Sequence, residues 1–325
     1  MGPADRDRAG HGDRLPHLPH VGPLRPGGRL VTTTAPPPPV PAPVADSPAG
    51  RLRAALWHLV CVAIGLVLLY PVLWLLTASV KSGTEIISNL SPVPEVFTPG
   101  NYTHAIDGVS GISLWRMFGN SLLISAGTVV GNVVSCSLAA YAFARLRFRG
   151  RGLYFALMIG TLMLPLHVVL IPQYVIFQKL GMVGTYLPLI LPKFLATEAF
   201  FVFLIVQFIR SLPRELDEAA IIDGCGPYRT FWHVVMPLLK PALVTTTIFS
   251  FIWSWNDFLP QLMYLADPDT YTLQLGLRMF VDQSGSAAFG PMFAMSVLTL
   301  VPVVLFFLAF QRLLVEGVQT SGLKG

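Results

Sequence analysis

The stretch ELDEAAIIDG, residues 215–224, decides how the fold of this chain is interpreted, because it is acidic and helix-prone yet lies between two strongly apolar runs. These runs, residues 187–209 and 241–265, are each long enough to cross a bilayer as a helix, which takes about 20 residues. A short charged helix between two such runs is expected to lie across a membrane face, where water or a partner protein can contact it.

The composition is that of a membrane protein. The 325 residues are 53% hydrophobic and only 12% charged, whereas a soluble domain carries about 25% charged residues. The net charge of +5 would be compatible with nucleic acid, but the basic residues occupy short segments between apolar runs. We therefore expect contact with membrane lipid and no nucleic-acid partner.

Six apolar runs follow residue 53. They are residues 54–80, 120–144, 152–178, 187–209, 241–265 and 289–311. Hydrocarbon offers the backbone no hydrogen-bond partners, so each run must be helical if it spans the membrane. The sequence predicts an all-α integral membrane protein with six transmembrane helices, contained in one domain over residues 51–325.

The distribution of Lys and Arg predicts the orientation of the spans. If the N-terminus is cytoplasmic, 17 of the 22 Lys and Arg residues fall in cytoplasmic segments, as the positive-inside rule requires. Both termini are then cytoplasmic, and so is the loop over residues 211–240, which contains the opening stretch.

Residues 1–50 differ from the remainder of the chain. They include the proline-rich tract APPPPVPAPVADSPAG, which cannot bury enough apolar surface to offset the entropy lost on ordering. We predict a disordered N-terminal tail. An alternative interpretation is that translation starts downstream, near Val31, and that this tail is not made.

The loop over residues 211–240 has the local chemistry of two short helices. Glu215, Asp217 and Glu218 would lie at the positive end of a helix dipole, and Gly224 tolerates the left-handed conformation that ends a helix. A second short helix is predicted over residues 227–235. On these grounds alone, an interfacial connector without a partner explains the loop equally well.

The residues EAAIIDGCGPYRTFWHVVMPLLKP, 218–241, resemble the cytoplasmic EAA loop of permeases of ATP-binding-cassette (ABC) importers. That loop has Glu-Ala-Ala, two residues, Asp-Gly, an apolar position and two prolines. The matching positions are Glu218, Ala219, Ala220, Asp223, Gly224, Phe231, Val234, Pro237 and Pro241. Cys225 departs from the pattern, since the family often has another small residue there.

The resemblance extends over residues 54–325. The segments LYPVLWLLTASVKSGTEI, WNDFLPQLMYL and QRLLVEGVQTSGLKG look like the maltose-permease-like branch that imports carbohydrates. The compact size and the C-terminal segment are similar to the shorter of that branch's two permease subunits. The resemblance implies the architecture of a type I importer permease in a bacterial plasma membrane.

The resemblance also implies what the loop contacts. It would be a coupling helix that docks in a groove of a cytoplasmic ATPase subunit. Glu218 would make a charge contact there, Ala219 and Ala220 would allow close packing, and Gly224 would form the turn. Asp223, Phe231 and Pro237 belong to the same coupling set.

The implied complex contains a second, homologous permease, two ATPase subunits and an extracytoplasmic sugar-binding protein. This chain has no G-x-x-x-x-G-K-[ST] motif and no H-E-x-x-H or G-x-S-x-G motif. We therefore expect a non-catalytic subunit that binds no cofactor or metal, with ATP and Mg²⁺ held by the partner ATPases. The alternatives are a permease for another solute, such as glycerol-phosphate, polyamine or phosphate, or a stand-alone secondary transporter.

Two acidic residues, Glu198 and Asp257, fall within predicted spans. A carboxylate at membrane depth is costly and is a functional candidate by default. Asn256 adjoins Asp257, and both are candidates for the transport pathway together with Glu198. A structural hydrogen-bond network between spans is the alternative role.

Trp255 is a further pathway candidate, since Trp253 and Trp255 could stack on a sugar. A role as core residues or interfacial anchors explains both rings as well. Lys193 and Glu198 are five residues apart, which does not place them on one helical face. We therefore expect Lys193 to extend outward and Glu198 to find another polar partner.

Overall fold

Helices account for almost all of the regular structure in the computed structural model, which describes residues 48–282 and 289–322. None of these residues belongs to a β-strand, so the predicted all-α class is confirmed for the described part of the chain. The predicted tail lies outside the described residues up to position 47, and residues 48–50 are helical.

The chain divides into two compact units, residues 1–61 and residues 62–325. The described part of the first unit, residues 48–61, is the beginning of helix α1. Every site discussed below lies in the second unit.

The helices follow one another with short connections. In chain order they are α1 (Pro48–Ala78), α2 (Gly83–Ser88), α3 (Gly100–Asp107), α4 (Leu114–Arg145), α5 (Arg151–Thr161), α6 (Leu166–Lys179), α7 (Leu187–Ile190), α8 (Ala199–Ser211), α9 (Glu215–Ile222), α10 (Pro227–Thr230), α11 (Met236–Leu238), α12 (Lys240–Asn256), α13 (Leu259–Tyr264), α14 (Leu273–Asp282) and α15 (Phe289–Gly322). A 3₁₀ segment, Leu191–Leu195, follows α7, a π-helix, Phe231–Val235, follows α10, and a second 3₁₀ turn, Pro268–Thr270, precedes α14.

Four segments of the described chain are long and apolar enough to cross a membrane. They are Leu52–Ala78, Leu114–Arg145, Leu187–Ser211 and Phe289–Arg312. A fifth is obtained if Pro227–Leu238 and Lys240–Asn256, which meet at a bend of 77°, count as one span. The chain is therefore a multi-pass membrane protein with four or five candidate spans, and helix length does not establish the predicted six.

Three of the predicted spans are interrupted, and the run 187–209 is one of them, since residues 196–198 separate its 3₁₀ segment from α8. The run 152–178 forms α5 and α6, which are separated by residues 162–165, with Pro165 in an extended conformation. Proline restricts the residue before it to extended conformations and has no N–H to donate. The run 241–265 breaks at Asp257, whose ψ of 132° ends α12 before α13 begins.

Helix α4 is the centre of the bundle and packs against α8, α12 and the 3₁₀ segment. Gly131 lets the 3₁₀ segment approach closely, because a Cβ atom there would lie 3.0 Å from the carbonyl carbon of Lys193. Asn132 donates a hydrogen bond to Ser250 Oγ on α12 at 3.0 Å. Such small residues and interhelical hydrogen bonds stabilise helix packing where lipid removes the hydrophobic driving force.

Candidate functional site

The loop over residues 211–240 contains the predicted glycine turn. Gly224 has a φ of +76°, and its N–H donates to the Ile221 carbonyl at 3.0 Å. The Cys225 N–H donates to the Ala220 carbonyl at 2.9 Å. This pair of bonds is the Schellman motif, which satisfies the last carbonyls of α9.

Helix α9 divides the predicted coupling residues between two sides. Glu218, Ala219 and Asp223 are exposed, whereas Ala220 is buried against the rest of the protein. Ile222 is 85% exposed beside them. We call Glu218, Ala219, Ile222 and Asp223 the outer surface of α9. Ile221 beside Ile222 is 66% exposed, and exposed apolar residues that lie together are suited to a protein contact.

Phe231 lies inside the protein rather than on the outer surface of α9. It is 1% exposed, and its ring centroid is 5.2 Å from that of Tyr141 on α4. The surrounding cluster also contains Ile205 and Ile209 of α8. Phe231 therefore anchors the loop to the bundle, and any part it has in coupling acts through this packing.

Pro237 lies on the exposed side of the turn that leads into α12. The π-helix Phe231–Val235 ends two residues before it. Proline has no N–H to donate, and its ring crowds the carbonyl four residues earlier. The wider π turn relieves this crowding, and π turns are frequent at functional sites.

Arg145 is the residue at this site that the sequence analysis missed. Its Nε lies 3.0 Å from Asp217 Oδ2 of α9, a charge contact whose alignment falls short of a hydrogen bond. Its Nη2 donates to the carbonyl oxygens of Leu212 at 2.9 Å and Pro213 at 3.4 Å. The sequence does place a cation, Arg145, at the end of a long helix, where a positive charge is favourable. This position does not indicate which residue Arg145 pairs with.

A cavity of about 870 Å³ opens among α4, α6, the 3₁₀ segment, α8 and α12. Its volume is within the range of small-molecule sites, about 300–1,000 Å³. The polar side chains that line it are Thr128, Asn132, Thr161, Gln173, Lys193, Thr197, Glu198, Ser250, Ser254, Asp257 and Gln261. These amides, hydroxyls and charges, combined with the Trp253 ring, can bind a ligand that is rich in hydroxyl groups.

Lys193 and Glu198 form an ion pair on the wall of this cavity. The expectation that Lys193 extends outward and Glu198 pairs elsewhere is therefore wrong. The spacing argument assumed one regular α-helix, but Lys193 is in the 3₁₀ segment and Glu198 is the N-cap of α8. Between them Ala196 has a φ of +54°, which turns the chain so that the two side chains meet.

The same segment is held to α4 by one side chain. Ser135 Oγ donates to the Lys193 carbonyl at 2.6 Å and accepts the Ala196 N–H at 3.1 Å. Irregular backbone at membrane depth is tolerated where it lines a cavity and its polar groups are satisfied. Ser135 and the cavity together meet that condition here.

The four pathway candidates separate into two groups. Glu198 and Asp257 line the cavity. Asn256 points elsewhere and donates to the Ile252 carbonyl at 2.8 Å, and Trp255 is 1% exposed and donates to the Thr299 carbonyl at 3.2 Å. Successive helical residues point about 100° apart, and the Trp255 side chain is directed away from the cavity, toward α15.

Trp253, rather than Trp255, is the tryptophan on the cavity. It is 46% exposed, and its ring stacks on Phe201 with centroids 5.2 Å apart. Asp257 forms no ion pair with any residue that the structure describes. The structure therefore supports Glu198 and Asp257 as cavity residues and removes Asn256 and Trp255 from that wall.

Several known proteins are similar to this chain. It is 36% identical over 265 residues to the arabinooligosaccharides transport system permease protein AraQ of Halalkalibacterium halodurans, covering 81% of this chain and 93% of that protein. It is 31% identical to the diacetylchitobiose uptake system permease protein NgcG of Streptomyces coelicolor, with 81% and 86% covered. It is 32% identical to the sn-glycerol-3-phosphate transport system permease protein UgpE of Brucella abortus, with 80% and 94% covered.

A solved structure has the same fold. It is a chain of a bacterial ABC transporter involved in the import of the acidic polysaccharide alginate, with a TM-score of 0.71, 22% identity, and 82% and 98% of the two chains covered. Residues 131–320 match the model of the family described as the inner membrane component of binding-protein-dependent transport systems. The chain belongs to this family of binding-protein-dependent transport inner membrane components.

Proposed function

We propose that this chain is the permease subunit of an ABC importer that moves a carbohydrate, delivered by an extracytoplasmic binding protein, into the cytoplasm by alternating access. The cavity carries this proposal, because it presents amides, hydroxyls, a carboxylate and the Trp253 ring at membrane depth. Two relatives are named for the transport of oligosaccharides, one for arabinooligosaccharides and one for diacetylchitobiose, and these names support the substrate class.

Import of glycerol-phosphate is the second candidate, because one relative carries that name. The charges of the cavity argue against it. Lys193 is neutralised by Glu198, which leaves Asp257 as the unbalanced charge on this chain's wall. A carboxylate repels a phosphate, whereas it accepts hydrogen bonds from sugar hydroxyls.

The proposed topology has six spans with both termini in the cytoplasm of a bacterium. In this arrangement α5 with α6 and α12 with α13 are broken spans that face the cavity. The proposed complex contains a second permease, two ATPase subunits that hold ATP and Mg²⁺, and the binding protein. The excess of Lys and Arg in the segments assigned to the cytoplasm supports the orientation.

In the proposed mechanism the outer surface of α9 docks on an ATPase subunit. Closure of the ATPases on ATP moves α9, and the movement reaches the bundle through the contacts of the loop with α4 and α8. Phe231 supplies one of these contacts, since it packs between the two helices. The bundle then opens outward and receives the sugar.

The test of docking is the charge reversal Glu218→Arg, with Arg149→Glu as its control. Arg149 is also exposed, but it lies outside α9 and makes no ion pair with a residue that the structure describes. We expect Glu218→Arg to lose the ATPase on purification and to abolish uptake, while Arg149→Glu retains both. Normal ATPase retention and uptake in Glu218→Arg would overturn the proposed docking.

The substrate class is tested by uptake in cells that carry the chain and in cells that lack it. Radiolabelled arabinotriose, diacetylchitobiose and sn-glycerol-3-phosphate are the probes. Uptake of either sugar that depends on this chain supports the proposal. Uptake of sn-glycerol-3-phosphate without uptake of either sugar would show that the second candidate function, import of glycerol-phosphate, is the correct one.

A further inference from the structure

The ion pair between Arg145 and Asp217 joins the last residue of α4 to the first turn of α9. Both side chains are largely removed from solvent, at 8% and 19% exposure. An ion pair this far from water loses hydration that surface pairs keep, so its geometry has to be held by further contacts. Arg145 has such contacts in the carbonyl groups of Leu212 and Pro213.

These contacts tie three elements together at one guanidinium group. Leu212 is the C-cap of α8, Asp217 belongs to α9, and Arg145 ends α4. A guanidinium has five N–H donors in a rigid plane, whereas a lysine ammonium is a compact point charge. Lysine at position 145 would keep the charge but could not hold the carboxylate and both carbonyls in the same geometry.

Adjacent acids on α9 therefore face different surroundings. Asp217 is turned toward Arg145 and the bundle, while Glu218 is exposed on the outer surface of α9. Because the two side chains leave the same helical turn, a partner that moves Glu218 also moves Asp217. The short helix is thus fixed to the bundle on one side and free for docking on the other.

Helix α4 continues from Arg145 to the cavity. Asn132 and Thr128 of α4 line the cavity, and Ser135 holds the irregular segment that carries Lys193. The 13 residues from Arg145 back to Asn132 span about 20 Å of helix. A continuous helix of this length transmits a displacement of its end as a rigid body.

We propose that Arg145 is a positioning residue that, through Asp217, transmits the movement of α9 along α4 to the Lys193–Glu198 wall of the cavity. The inference rests on the proposed function, since it takes the outer surface of α9 to be where an ATPase acts. Phe231 joins the same loop to the bundle by apolar packing. Loss of the ion pair therefore leaves the loop attached but poorly coupled.

The first measurement is hydrogen–deuterium exchange of the isolated chain in detergent micelles. Arg145→Ala should speed amide exchange in residues 215–222 by roughly tenfold or more, because it removes a largely buried ion pair together with the hydrogen bonds of Arg145 to two carbonyl groups. Asp217→Asn, which keeps the shape of the side chain, should do the same, and the double variant should add little. Arg145→Lys should lie between wild type and Arg145→Ala.

Arg149→Ala is the control. Arg149 is an exposed arginine four residues further along the chain, and it makes no ion pair within the described parts of the protein. It should leave the exchange of residues 215–222 unchanged. Exchange in Arg145→Ala and Asp217→Asn equal to that of this control would overturn the proposed link, whether or not an ATPase binds.

The second measurement uses the assembled importer with ATP and vanadate, and needs no knowledge of the substrate. In wild type we expect the exchange of both α9 and residues 191–198 to change when the nucleotide is trapped. In Arg145→Ala, α9 should still respond while the response of residues 191–198 falls at least several-fold. An undiminished response of residues 191–198 would refute the transmission, whereas a wild-type complex without any ATPase would refute the proposed function instead.

Discussion

Replacing Gly224 by valine tests the backbone turn after α9 separately from the contacts of any side chain. The Gly224 φ of +76° lies in the left-handed region, and a Cβ built there meets no atom within 4 Å. A clash of the added Cβ atom with neighbouring atoms therefore does not enter the energy. For alanine the cost is the conformational one, about 1–2 kcal/mol, and it is larger for a β-branched residue.

This cost sets the expected size of the effect. A penalty of about 1–2 kcal/mol lowers the equilibrium constant for forming the turn by roughly 5- to 30-fold. If an ATPase subunit binds only the turned conformation, Gly224→Ala should weaken its binding by up to that factor. Gly224→Val should weaken it more, and Gly224→Asn less, since asparagine visits the left-handed region more readily.

The assay is a titration of the purified ATPase subunit against each variant in detergent micelles. Gly226→Val is the matched control, because Gly226 has a φ of −75° and its Cβ position is equally free of neighbours. We expect the control to bind as wild type does. Equal binding by the Gly224 and Gly226 variants would refute the argument that the turn presents the outer surface of α9.

Three further substitutions separate packing from the pathway. Phe231→Ala removes a fully buried ring and should destabilise the protein by about 3–5 kcal/mol. The measurement is the melting temperature in detergent, which should fall. Tyr228 is 71% exposed, so Tyr228→Ala should leave the melting temperature unchanged. Trp253→Ala should reduce sugar uptake, and Trp255→Ala, which removes a fully buried ring, should lower the melting temperature more than Trp253→Ala does; the reverse order would contradict their placement. Gly131→Leu should destabilise by about 1–3 kcal/mol through overpacking against the 3₁₀ segment, and an unchanged melting temperature would show that this approach is not close.

The coupling loop shows how far local chemistry can be read from residues alone. The acidic residues fall in the first turn of α9 and the glycine turn falls at Gly224, as predicted, because helix ends and left-handed turns depend on a few neighbouring residues. The sequence does not predict which of the coupling residues are buried and which are exposed. That Ala220 and Phe231 face inward while Glu218 faces outward depends on how the loop lies on α4 and α8.

The pathway residues show the opposite case. Glu198 and Asp257 were found by their charge in apolar runs, and both line the cavity. The partner of Glu198 and the choice between Trp253 and Trp255 were not found. Both depend on where the helices break, at Ala196 and at Asp257, and the spacing rule that was applied assumes an unbroken helix.

The sequence by itself determined the membrane class, the family resemblance, and the helix and glycine turn of the coupling loop, because these follow from hydropathy and from short-range backbone preferences. Only the tertiary structure decided that Arg145 pairs with Asp217, 72 residues away, and that Lys193 and Glu198 meet on the cavity wall. Such contacts arise when separate helices pack and irregular segments reverse a side chain's direction. Neither the packing of separate helices nor the path of an irregular segment can be predicted from the spacing of residues along one helix.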